Sequence, residues 1–370
     1  MLKIYYDYQA MLGQKFGGVS RYCYELAVRI AKYGAEPVIS CIHNHNYYFR
    51  DMLGFHDVDK IPQRLKNLEW KFFSCVNILK GLYDLRKPYD IIHPTYFNNY
   101  MLGHYKGKLI ITVHDMMGEL GYLGDVNSKY VKRHVTQKRN MINAADRIIV
   151  ISECTKNALL KIYPDTAPEK ISLVYQGGAF DSDRLVSGVD PMPEIKYILH
   201  VGRRGQYKNT DRFFEAMKII LSRHKNIHLL LAGTNDLSEY DLKILGGYSD
   251  RIHTKYLTDD ELTGAYQNAL CFVFPSLYEG FGAPVIEAMS CGCPVVLSRA
   301  SVFPEIAGDA GEYFNPLEID DIAEKIDRVI SNENLRAQMR SFGFERAKIF
   351  TWDNTAENTF NVYKKALENF

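Results

Sequence analysis

The chain has 370 residues, of which 46% are hydrophobic and 24% charged, and its formal net charge at pH 7 is +1. At about 150 residues per domain, this length predicts two domains that each bury a core. The balance of charge argues against a dedicated nucleic-acid-binding protein, and the apolar content excludes an intrinsically disordered chain. No apolar run approaches the ~20 residues that span a bilayer.

The seven cysteines are scattered, mostly within apolar runs, and indicate a reduced cytoplasmic protein. Cys291-Gly292-Cys293 lacks the two-residue gap of a redox or zinc pair, and no second pair completes a metal site. The N-terminus starts directly with a strand-like segment and has no signal-peptide hydrophobic region. We therefore expect a cytoplasmic protein with mostly buried thiols.

Short β-branched runs alternate with amphipathic segments along the whole chain. The first series of predicted strands is Lys3–Tyr6, Pro37–Ile42, Asp90–His93, Leu109–His114, Arg147–Ser152 and Ile171–Val174. The second series is Tyr197–Val201, His228–Ala232, Ile252–Tyr256, Cys271–Pro275 and Pro294–Ser298. Apolar residues at helical spacing lie between the strands, for example over 19–30 with a stop at Gly34. This alternation predicts an α/β fold with two Rossmann-like, doubly wound parallel sheets covered by helices on both faces.

The two series are separated by a segment with the composition of a linker. Residues 177–194 are rich in Gly, Asp, Ser and Pro and have no apolar period. We predict an N-terminal domain at 1–180, a linker at 181–194 and a second domain at 195–352, facing each other across a cleft. Ligands of such sheets bind at the carboxyl ends of the strands, so the cleft is the expected site.

A basic, aromatic segment at 60–87 stands out in the first half. Its cations alternate with large apolar residues, as in helices that lie on an anionic membrane surface. The alternative, which we favour, is a helix that packs into the core and leaves its lysines solvated.

Two loops that follow predicted strands are suited to binding an anion. Gly17-Gly18 stands at a helix start, where the backbone can approach a ligand and unpaired N–H groups favour negative charge. The same residues would also be expected in a simple turn at a helix start that Ser20 caps, without any ligand. In the second half, the strand ending at Gly202 is followed by Arg203, Arg204 and Lys208. We interpret these cations as a diphosphate-binding loop in preference to the alternative, a basic loop that is only solvated.

The most specific segment is Phe274–Ser290. A strand ends near Pro275, two glycines at 280 and 282 allow a tight loop, and Pro284 starts a helix. Glu279 lies on the loop and Glu287 in the first helical turn, where two carboxylates can accept hydrogen bonds from sugar or ribose hydroxyls. The N–H groups around Phe281 can meet a sugar or phosphate oxygen.

The string EGFGAPVIEAM closely resembles the E-x7-E signature of retaining glycosyltransferases of family four, which have the two-domain GT-B fold. The resemblance extends over nearly the whole chain and is strongest to the mannosyltransferase-like branch that builds O-antigens and capsules. It includes Gly17–Tyr22, Val113-His114-Asp115, Gly202-Arg203 with Lys208, and Pro304–Ala310. The ending from Trp352 looks like the family's final helix, which crosses back to the N-terminal domain, here 353–370.

The resemblance implies a role for each matching residue on the donor diphosphate and sugar. Arg203 and Lys208 would bind the diphosphate, with the Gly17–Gly18 backbone closing over it. Glu279 would hold hydroxyls of the donor sugar from the loop formed by Gly280, Phe281 and Gly282. Arg203, Lys208 and Glu279 would thus act in catalysis.

Three further positions are implied by the same resemblance. His114 would lie near the anomeric carbon as a catalytic residue, Glu287 would hold the ribose, and Tyr256-Leu257 would contact the base. Two departures from the family's pattern are Tyr175–Gly178, where relatives have Pro-Asn-Gly, and Arg204, where relatives often have a hydrophobic residue.

The resemblance supplies no carboxylate beneath the anomeric carbon, which favours reaction on one face of the sugar with retention. Asp181-Ser182-Asp183 spells a metal-binding D-x-D, but it lies in the linker and reads as a solvated turn. We expect no metal and no cofactor other than a nucleotide-sugar co-substrate, with GDP-mannose favoured and UDP-sugars next. The acceptor would be a glycan or lipid-linked saccharide.

The tyrosine surplus, 26 Tyr against 2 Trp, has a candidate use in binding that acceptor, although ordinary core tyrosines would explain part of the count. Phenolic rings can stack on sugar faces and hydrogen-bond their hydroxyls. The tyrosines that cluster in the N-terminal half are Tyr6, Tyr8, Tyr22, Tyr47, Tyr48, Tyr96, Tyr100 and Tyr122.

Two other functions remain compatible with these residues. A nucleotide-sugar epimerase would use the same architecture, and a non-catalytic protein would bind the nucleotide-sugar or a glycan. A nicotinamide-dependent oxidoreductase is disfavoured because no G-x-G-x-x-G follows any strand.

Overall fold

The computed structural model describes residues 1–55, 63–178, 185–233 and 236–368; of residues 63–67, only the helical backbone is described. The chain divides into two compact units. One comprises Met1–Gly177 together with Trp352–Phe370, and the other comprises Gly178–Thr351. Residues 185–194, the described part of the predicted linker, contain no helix or strand.

The first unit is built on a six-stranded parallel sheet in the order β2-β1-β3-β4-β5-β6. The strands are β1 (Leu2–Asp7), β2 (Ala35–Ser40), β3 (Ile91–Ile92), β4 (Lys108–Val113), β5 (Arg147–Val150) and β6 (Ile171–Leu173). The α-helices are α1 (Gln9–Gly13), α2 (Gly18–Arg29), α3 (Arg50–Leu53), α4 (Gln63–Asp84), α5 (Lys129–Ala144), α6 (Glu153–Ile162) and, numbered in chain order, α14 (Trp352–Glu368).

The helix α2 shows how the apolar pattern produces this unit. Tyr22, Cys23, Leu26 and Ala27 recur on one face and are buried, which is the spacing of a helix that covers a sheet. The helix passes into a short 3-10 turn and ends at Gly34, whose φ of +91° is readily adopted only by glycine. The predicted helix and its stop are therefore confirmed.

The helix α14 belongs to the first unit although it ends the chain. Val362, Tyr363 and Ala366 are buried on its inner face, and the Thr355 hydroxyl donates to the carbonyl of Tyr175 at 3.0 Å. Gly177 is required here, because a Cβ would lie 2.5 Å from the backbone nitrogen of Trp352. A larger residue at position 177 would therefore require the start of α14 to shift.

The second unit also contains a six-stranded parallel sheet, in the order β12-β11-β10-β7-β8-β9. The strands are β7 (Lys196–Val201), β8 (Ile227–Ala232), β9 (Ile252–Lys255), β10 (Cys271–Phe274), β11 (Val295–Ser298) and β12 (Gly311–Phe314). The α-helices are α7 (Thr210–Arg223), α8 (Glu239–Leu245), α9 (Asp259–Asn268), α10 (Ala283–Ser290), α11 (Phe303–Ala307), α12 (Ile319–Ile330) and α13 (Glu333–Ala347).

The predicted α/β class, with two parallel sheets flanked by helices, is confirmed. The strands differ from the predicted ranges by one or two residues at their ends, and β12 is a strand that the sequence pattern missed. It has four residues, and only Phe314 among them is fully buried. A strand this short at the sheet edge carries too little alternation to be recognised.

Candidate functional site

Lys208 and Glu279, assigned separately from the sequence, form an ion pair in the second unit. The Nζ of Lys208 lies 2.6 Å from Oε1 of Glu279, and each side chain is about 15% exposed. Lys208 follows β7 and Glu279 follows β10, and these two strands are paired in the sheet. Parallel strands end at a common edge, which is why residues so distant in sequence meet.

Aromatic rings surround the ammonium group of Lys208. It lies 5.1 Å from the ring centre of Tyr207 and 5.0 Å from that of Phe274. Cation–π attraction adds to the ion pair and fixes where the charge can lie. The site therefore presents a cation beside a carboxylate at the carboxyl edge of the sheet.

The two arginines of the same loop have different surroundings. Arg203 is exposed, whereas Arg204 donates to the carbonyl of Asp236 at 2.6 Å and pairs with Asp241 at 3.4 Å. Asp241 is also the third residue of α8, where it completes a capping box with Ser238. Arg204, the departure from the family's pattern, thus ties the loop to α8, and Arg203 remains the exposed cation.

The Glu279 loop is held by a residue that the sequence analysis missed. The hydroxyl of Ser301 accepts from the Glu279 N–H at 3.1 Å and donates to the Glu279 carbonyl at 2.8 Å. Gly282 has φ of +83°, and a Cβ there would lie 3.2 Å from the ring of Phe303. Gly280 and Phe281 are buried, and the Phe281 ring packs edge-on against Phe350.

Glu287 is placed differently from the expectation. Since α10 begins at Ala283, Glu287 is the fifth helical residue, and the first turn holds no acidic residue. The prediction that Glu287 lies in the first helical turn is therefore wrong. Instead, the buried hydroxyl of Tyr266 on α9 donates to its Oε2 at 3.2 Å, a contact between residues 21 positions apart that no local pattern indicates.

Tyr256 and Leu257 follow β9, the edge strand of the same sheet. Tyr256 is 72% exposed, in contrast to Tyr197 and Tyr266, which are completely buried in this unit. A ring that is left in solvent at the carboxyl edge is available to stack on a planar ligand.

In the first unit, Gly17 and Gly18 lie where β1 leads through α1 into α2. Gly18 is the first residue of α2, and a Cβ at Gly17 would lie 2.3 Å from Oε1 of Gln14. That oxygen accepts from the N–H of Ser20 at 3.1 Å, while the Ser20 hydroxyl donates to the Gly17 carbonyl. The alternative interpretation, in which Ser20 caps the helix, is thus wrong, because Gln14 accepts from the first-turn amide.

His114 follows β4 and is half-buried. Its ring packs edge-on against Tyr22, with centroids 4.9 Å apart. Burial, reinforced by the charge of Lys138 and opposed by Asp115, lowers the pKa of His114 to about 4. The imidazole is therefore neutral at pH 7 and can exchange hydrogen bonds with a sugar hydroxyl.

A buried ion pair anchors the loop after His114. Lys138 on α5 donates to the carbonyl of Asp115 at 3.0 Å and pairs with Glu119 at 2.8 Å, and both charged side chains are almost completely buried. Tyr163 donates to the other Glu119 oxygen at 3.0 Å. Removing either Lys138 or Glu119 would leave the other charge buried and uncompensated. The ion pair therefore stays formed and holds the Asp115 carbonyl in place.

The N-terminal tyrosines do not all have the expected role. Tyr6, Tyr8 and Tyr22 are at most 3% exposed and lie in the core, so they cannot stack on a sugar. Tyr47 is 41% exposed, and the guanidinium of Arg50 lies 4.0 Å from its ring centre. Tyr6, Tyr8 and Tyr22 instead serve packing and internal hydrogen bonds.

The helix α4 has apolar residues on both of its faces. On the inner face, Phe73 is buried in a core cluster with Tyr8 and Leu12. The same face carries Asn77 and Asp84, which are buried and hydrogen-bonded to the β2 strand end and the loop after it. Its outer face is apolar at helical spacing and is more than 60% exposed at each of four positions: Leu68, Phe72, Leu79 and Tyr83. The buried Phe73 and the exposed Lys71 agree with the favoured interpretation, a helix that packs into the core and leaves its lysines solvated. The exposed apolar residues of the outer face were not expected.

Neither a metal cluster nor a membrane span occurs in the described parts of the chain. No group of three or more His, Cys, Asp or Glu side chains is arranged to hold a metal ion there. No helix in those ranges is long and apolar enough to cross a bilayer. Asp181 and Asp183 of the D-x-D string lie outside the described residues.

Two protein-family models match the chain, one in each unit. The model of Glycosyltransferase Family 4 matches residues 16–177, and that of Glycosyl transferases group 1 matches residues 190–346. Strands β2 to β6 of the first unit and the Lys208–Glu279 pair of the second lie within the matched ranges, whereas β1 precedes the first of them.

Characterised and uncharacterised relatives align over most of the chain. O-antigen chain mannosyltransferase B of Escherichia coli is 25% identical over 94% of this chain and 96% of its own. An uncharacterized glycosyltransferase of Methanocaldococcus jannaschii is 28% identical over 95% of both chains. The serotype-specific mannosyltransferase WbdA of Escherichia coli is 27% identical over 71% of this chain but 34% of its own.

Solved structures with the same fold cover the whole chain. Sucrose-phosphate synthase of Thermosynechococcus elongatus has a TM-score of 0.73 at 19% identity, with full coverage of both chains. A glycosyltransferase of Rickettsia africae has a TM-score of 0.72 at 17% identity, covering 100% of this chain and 99% of its own. HepE of Anabaena, solved with UDP and glucose, has a TM-score of 0.68 at 17% identity, with full coverage of both chains.

Proposed function

Because this chain belongs to the group 1 glycosyltransferases and carries their family 4 N-terminal domain, we propose that it transfers a hexosyl unit, with mannosyl favoured, from a nucleoside diphospho-sugar. The acceptor is a glycan or lipid-linked saccharide in the synthesis of a cell-surface polysaccharide. The observation that carries the proposal is the Lys208–Glu279 pair, with Nζ 2.6 Å from Oε1 beside an exposed Arg203.

The geometry of that pair suits two neighbouring groups of one donor. The β-phosphate is bonded to the anomeric carbon, so its oxygens and the sugar hydroxyls are only a few bonds apart. Lys208 and Arg203 would neutralise the diphosphate, and Glu279 would accept hydrogen bonds from the sugar. Glu287 would accept from the ribose, and Tyr256 with Leu257 would contact the base.

The proposed reaction occurs on one face of the sugar. The bond between the anomeric carbon and the diphosphate oxygen breaks, and Arg203 and Lys208 stabilise the charge that the leaving group gains. The acceptor oxygen bonds to the anomeric carbon from the same face and gives its proton to a departing phosphate oxygen. His114, which is neutral, would hold a sugar hydroxyl, and no metal takes part in this scheme.

A panel of nucleotide-sugars tests the donor. A ligand at about 100 times its dissociation constant adds about 2.7 kcal/mol of stability, so thermal shifts with GDP-, UDP-, dTDP- and ADP-sugars should rank the bases. Relatives named as mannosyltransferases favour a mannosyl donor, so GDP-mannose is the first candidate in this panel. UDP, with which HepE was solved, is the second base. A panel with no stabilising member would contradict the proposal.

Turnover then separates the transferase from its alternatives. A transferase releases nucleoside diphosphate only when an acceptor is added, an epimerase consumes donor alone, and a binding protein does neither. The anomeric coupling constant of the product reports retention, and unchanged rates in excess EDTA report metal independence. A covalent glycosyl adduct on a carboxylate, found by mass spectrometry, would rule out the one-face mechanism.

The outer face of α4 favours a second element of the proposal, contact with an anionic membrane surface. The exposed Leu68, Phe72, Leu79 and Tyr83 form a stripe of apolar side chains, and Lys71, Arg86 and Lys87 are exposed nearby. An apolar stripe with cations beside it matches the interface of an anionic bilayer.

Vesicle sedimentation tests this contact. The wild-type protein should sediment more with vesicles of mixed phosphatidylcholine and anionic phosphatidylglycerol than with pure phosphatidylcholine, because anionic lipid attracts basic segments. Phe72→Gln with Leu79→Gln should abolish sedimentation, whereas Tyr240→Gln, at an exposed tyrosine of the second unit, should not. Equal sedimentation of all three proteins would contradict membrane contact through α4.

A further inference from the structure

A chain of buried hydrogen bonds links the C-terminal helix α14 to β4, the strand that His114 follows. The hydroxyl of Tyr363 lies 3.0 Å from that of Tyr6 and 2.6 Å from Nδ1 of His93. The other ring nitrogen of His93, Nε2, lies 2.9 Å from the hydroxyl of Thr112. That hydroxyl is 3.3 Å from the hydroxyl of Tyr22.

The members of this chain are sealed from solvent. Tyr363 is completely buried, and Tyr6, Tyr22, His93 and Thr112 are between 1% and 7% exposed. The cavity between His93 and His114 has only about 10 Å³ open to a water centre, which is space for about one water molecule. The groups therefore depend on each other for their hydrogen bonds.

His93 is neutral in this environment, because burial and, to a smaller degree, the neighbouring His114 lower its pKa to about 3. A neutral imidazole has one donor and one acceptor nitrogen. Either Nδ1 accepts from Tyr363 while Nε2 donates to Thr112, or both directions are reversed. In each case the His93 tautomer couples the direction of the Tyr363 bond to that of the Thr112 bond.

Thr112 and Tyr22 both connect this chain to His114. Thr112 is two residues before His114, so the two side chains project from the same face of the extended backbone. The Tyr22 ring, whose hydroxyl meets Thr112, packs edge-on against the His114 ring at an interplanar angle of 85°. A shift of Thr112 or Tyr22 therefore moves the surface on which His114 rests.

We propose that Tyr363, acting through His93, Thr112 and Tyr22, is a positioning residue that fixes the orientation of the His114 ring. This inference rests on the proposed function, since it concerns the orientation of a residue at the reacting sugar. It assigns the returning helix α14 a task beyond packing: α14 supplies the hydroxyl at the far end of the hydrogen-bond chain.

The matched substitutions are Tyr363→Phe and Tyr5→Phe. Each removes one buried hydroxyl and keeps the ring, but Tyr5 points to the opposite face of β1 from Tyr6 and bonds Tyr100 instead, with 3.2 Å between the two oxygens. Tyr363→Phe should lower kcat by about tenfold or more with the donor KM unchanged, because misorientation affects the reacting geometry rather than binding. Tyr5→Phe should leave kcat within about twofold.

A double substitution shows whether the effect passes through His114. In a His114→Ala background, Tyr363→Phe should have no further effect on kcat. An undiminished effect there, or a wild-type kcat for Tyr363→Phe alone, overturns the proposal. If Tyr363→Phe is too unstable to assay, Tyr22→Phe provides the same comparison from the other end of the chain.

Ring-nitrogen NMR of histidine-labelled protein tests the proposal without turnover. Tyr363→Phe should change the tautomer signals of His93 and shift or broaden those of His114, while Tyr5→Phe should change neither. Unchanged His114 signals in Tyr363→Phe overturn the positioning role. A protein that passes this test but transfers no sugar to any acceptor would contradict the proposed function alone.

Discussion

Lys208 and Glu279 are 71 positions apart in the sequence, yet Nζ and Oε1 are 2.6 Å apart at the carboxyl edge of one sheet. Their charges compensate each other in a setting that is about 85% shielded from solvent. A donor that brings its own phosphate charge and hydroxyls can satisfy both side chains at once. The pair is thus arranged for a ligand in which an anion and hydroxyl groups are adjacent.

The first prediction concerns this pair. Lys208→Ala should lower kcat by about 10²–10³-fold, because a preorganised cation aimed at developing charge contributes on that scale. Lys218→Ala is the matched control, since Lys218 pairs with Glu215 in the same unit at 2.8 Å but on the surface, where an ion pair contributes less than about 1 kcal/mol. Steady-state kinetics with the donor from the panel provide the measurement. Equal rates for Lys208→Ala and Lys218→Ala would refute the site assignment.

The second prediction separates the two neighbouring arginines. Arg203→Ala should weaken binding of the nucleoside diphosphate with little effect on Tm, because Arg203 is exposed. Arg204→Ala should lower Tm, because it breaks the contacts to Asp236 and Asp241 and leaves a shielded carboxylate without its cation. Calorimetric titration measures nucleoside diphosphate binding, and thermal melts measure Tm. If Arg204→Ala weakened binding and Arg203→Ala lowered Tm, the assignment of the two arginines would be wrong.

The sequence indicated the carboxyl edge of the second sheet correctly because each residue there follows a strand with a strong apolar signal. Arg203 and Lys208 come after β7, and Glu279 comes after β10. Parallel alternation then requires that these strand ends share an edge. The motif resemblance added the roles, which spacing alone left open.

Other features could not be predicted, because the partner is distant in sequence. The pattern of α4 reveals an apolar stripe but not which face is buried, and the orientation is set by Asn77, which bonds the N–H groups of Ile42 and His43. The bond between His93 and Tyr363 joins residues 270 positions apart. Such contacts depend on the tertiary fold and leave no periodic signal in the chain.

The third prediction compares the two glycines before α2. Gly17→Ala should cost about 0.5–1.5 kcal/mol of stability, because its Cβ would displace the Gln14 side chain that accepts from Ser20. Gly18→Ala has open space for its Cβ and should not be less stable than wild type, since alanine favours a helix. Urea unfolding of both variants provides the comparison. Equal destabilisation by the two substitutions would contradict the steric argument.

The fourth prediction concerns the base. Tyr256→Ala should weaken nucleoside diphosphate binding by about 5–150-fold if the ring stacks on the base, since stacking contributes about 1–3 kcal/mol. Tyr240→Ala is the control, because Tyr240 is a 59% exposed tyrosine of the same unit. Titration calorimetry with GDP and UDP measures both. A Tyr256→Ala protein with wild-type affinity would remove Tyr256 from the donor site.

The fifth prediction is an acid-dependent loss of stability. Burial lowers the pKa of His93 to about 3 and that of His200 to about 4, below the value of about 6.5 expected in the unfolded chain. Between about pH 6.5 and 4 the unfolded state therefore binds more protons than the native state, so the free energy of unfolding falls as the pH falls.

Denaturant unfolding across this pH range measures the effect as a slope. Each histidine contributes up to one proton to the slope of unfolding free energy against pH. His200→Gln should be less stable than wild type near pH 7 but should lose stability less steeply on acidification, with the slope reduced by about one proton near pH 5. The surface residue His104 provides the control, since it is exposed, and His104→Gln should keep the wild-type slope. If His200→Gln and His104→Gln have the same slope, burial does not lower the pKa of His200, and the prediction is wrong.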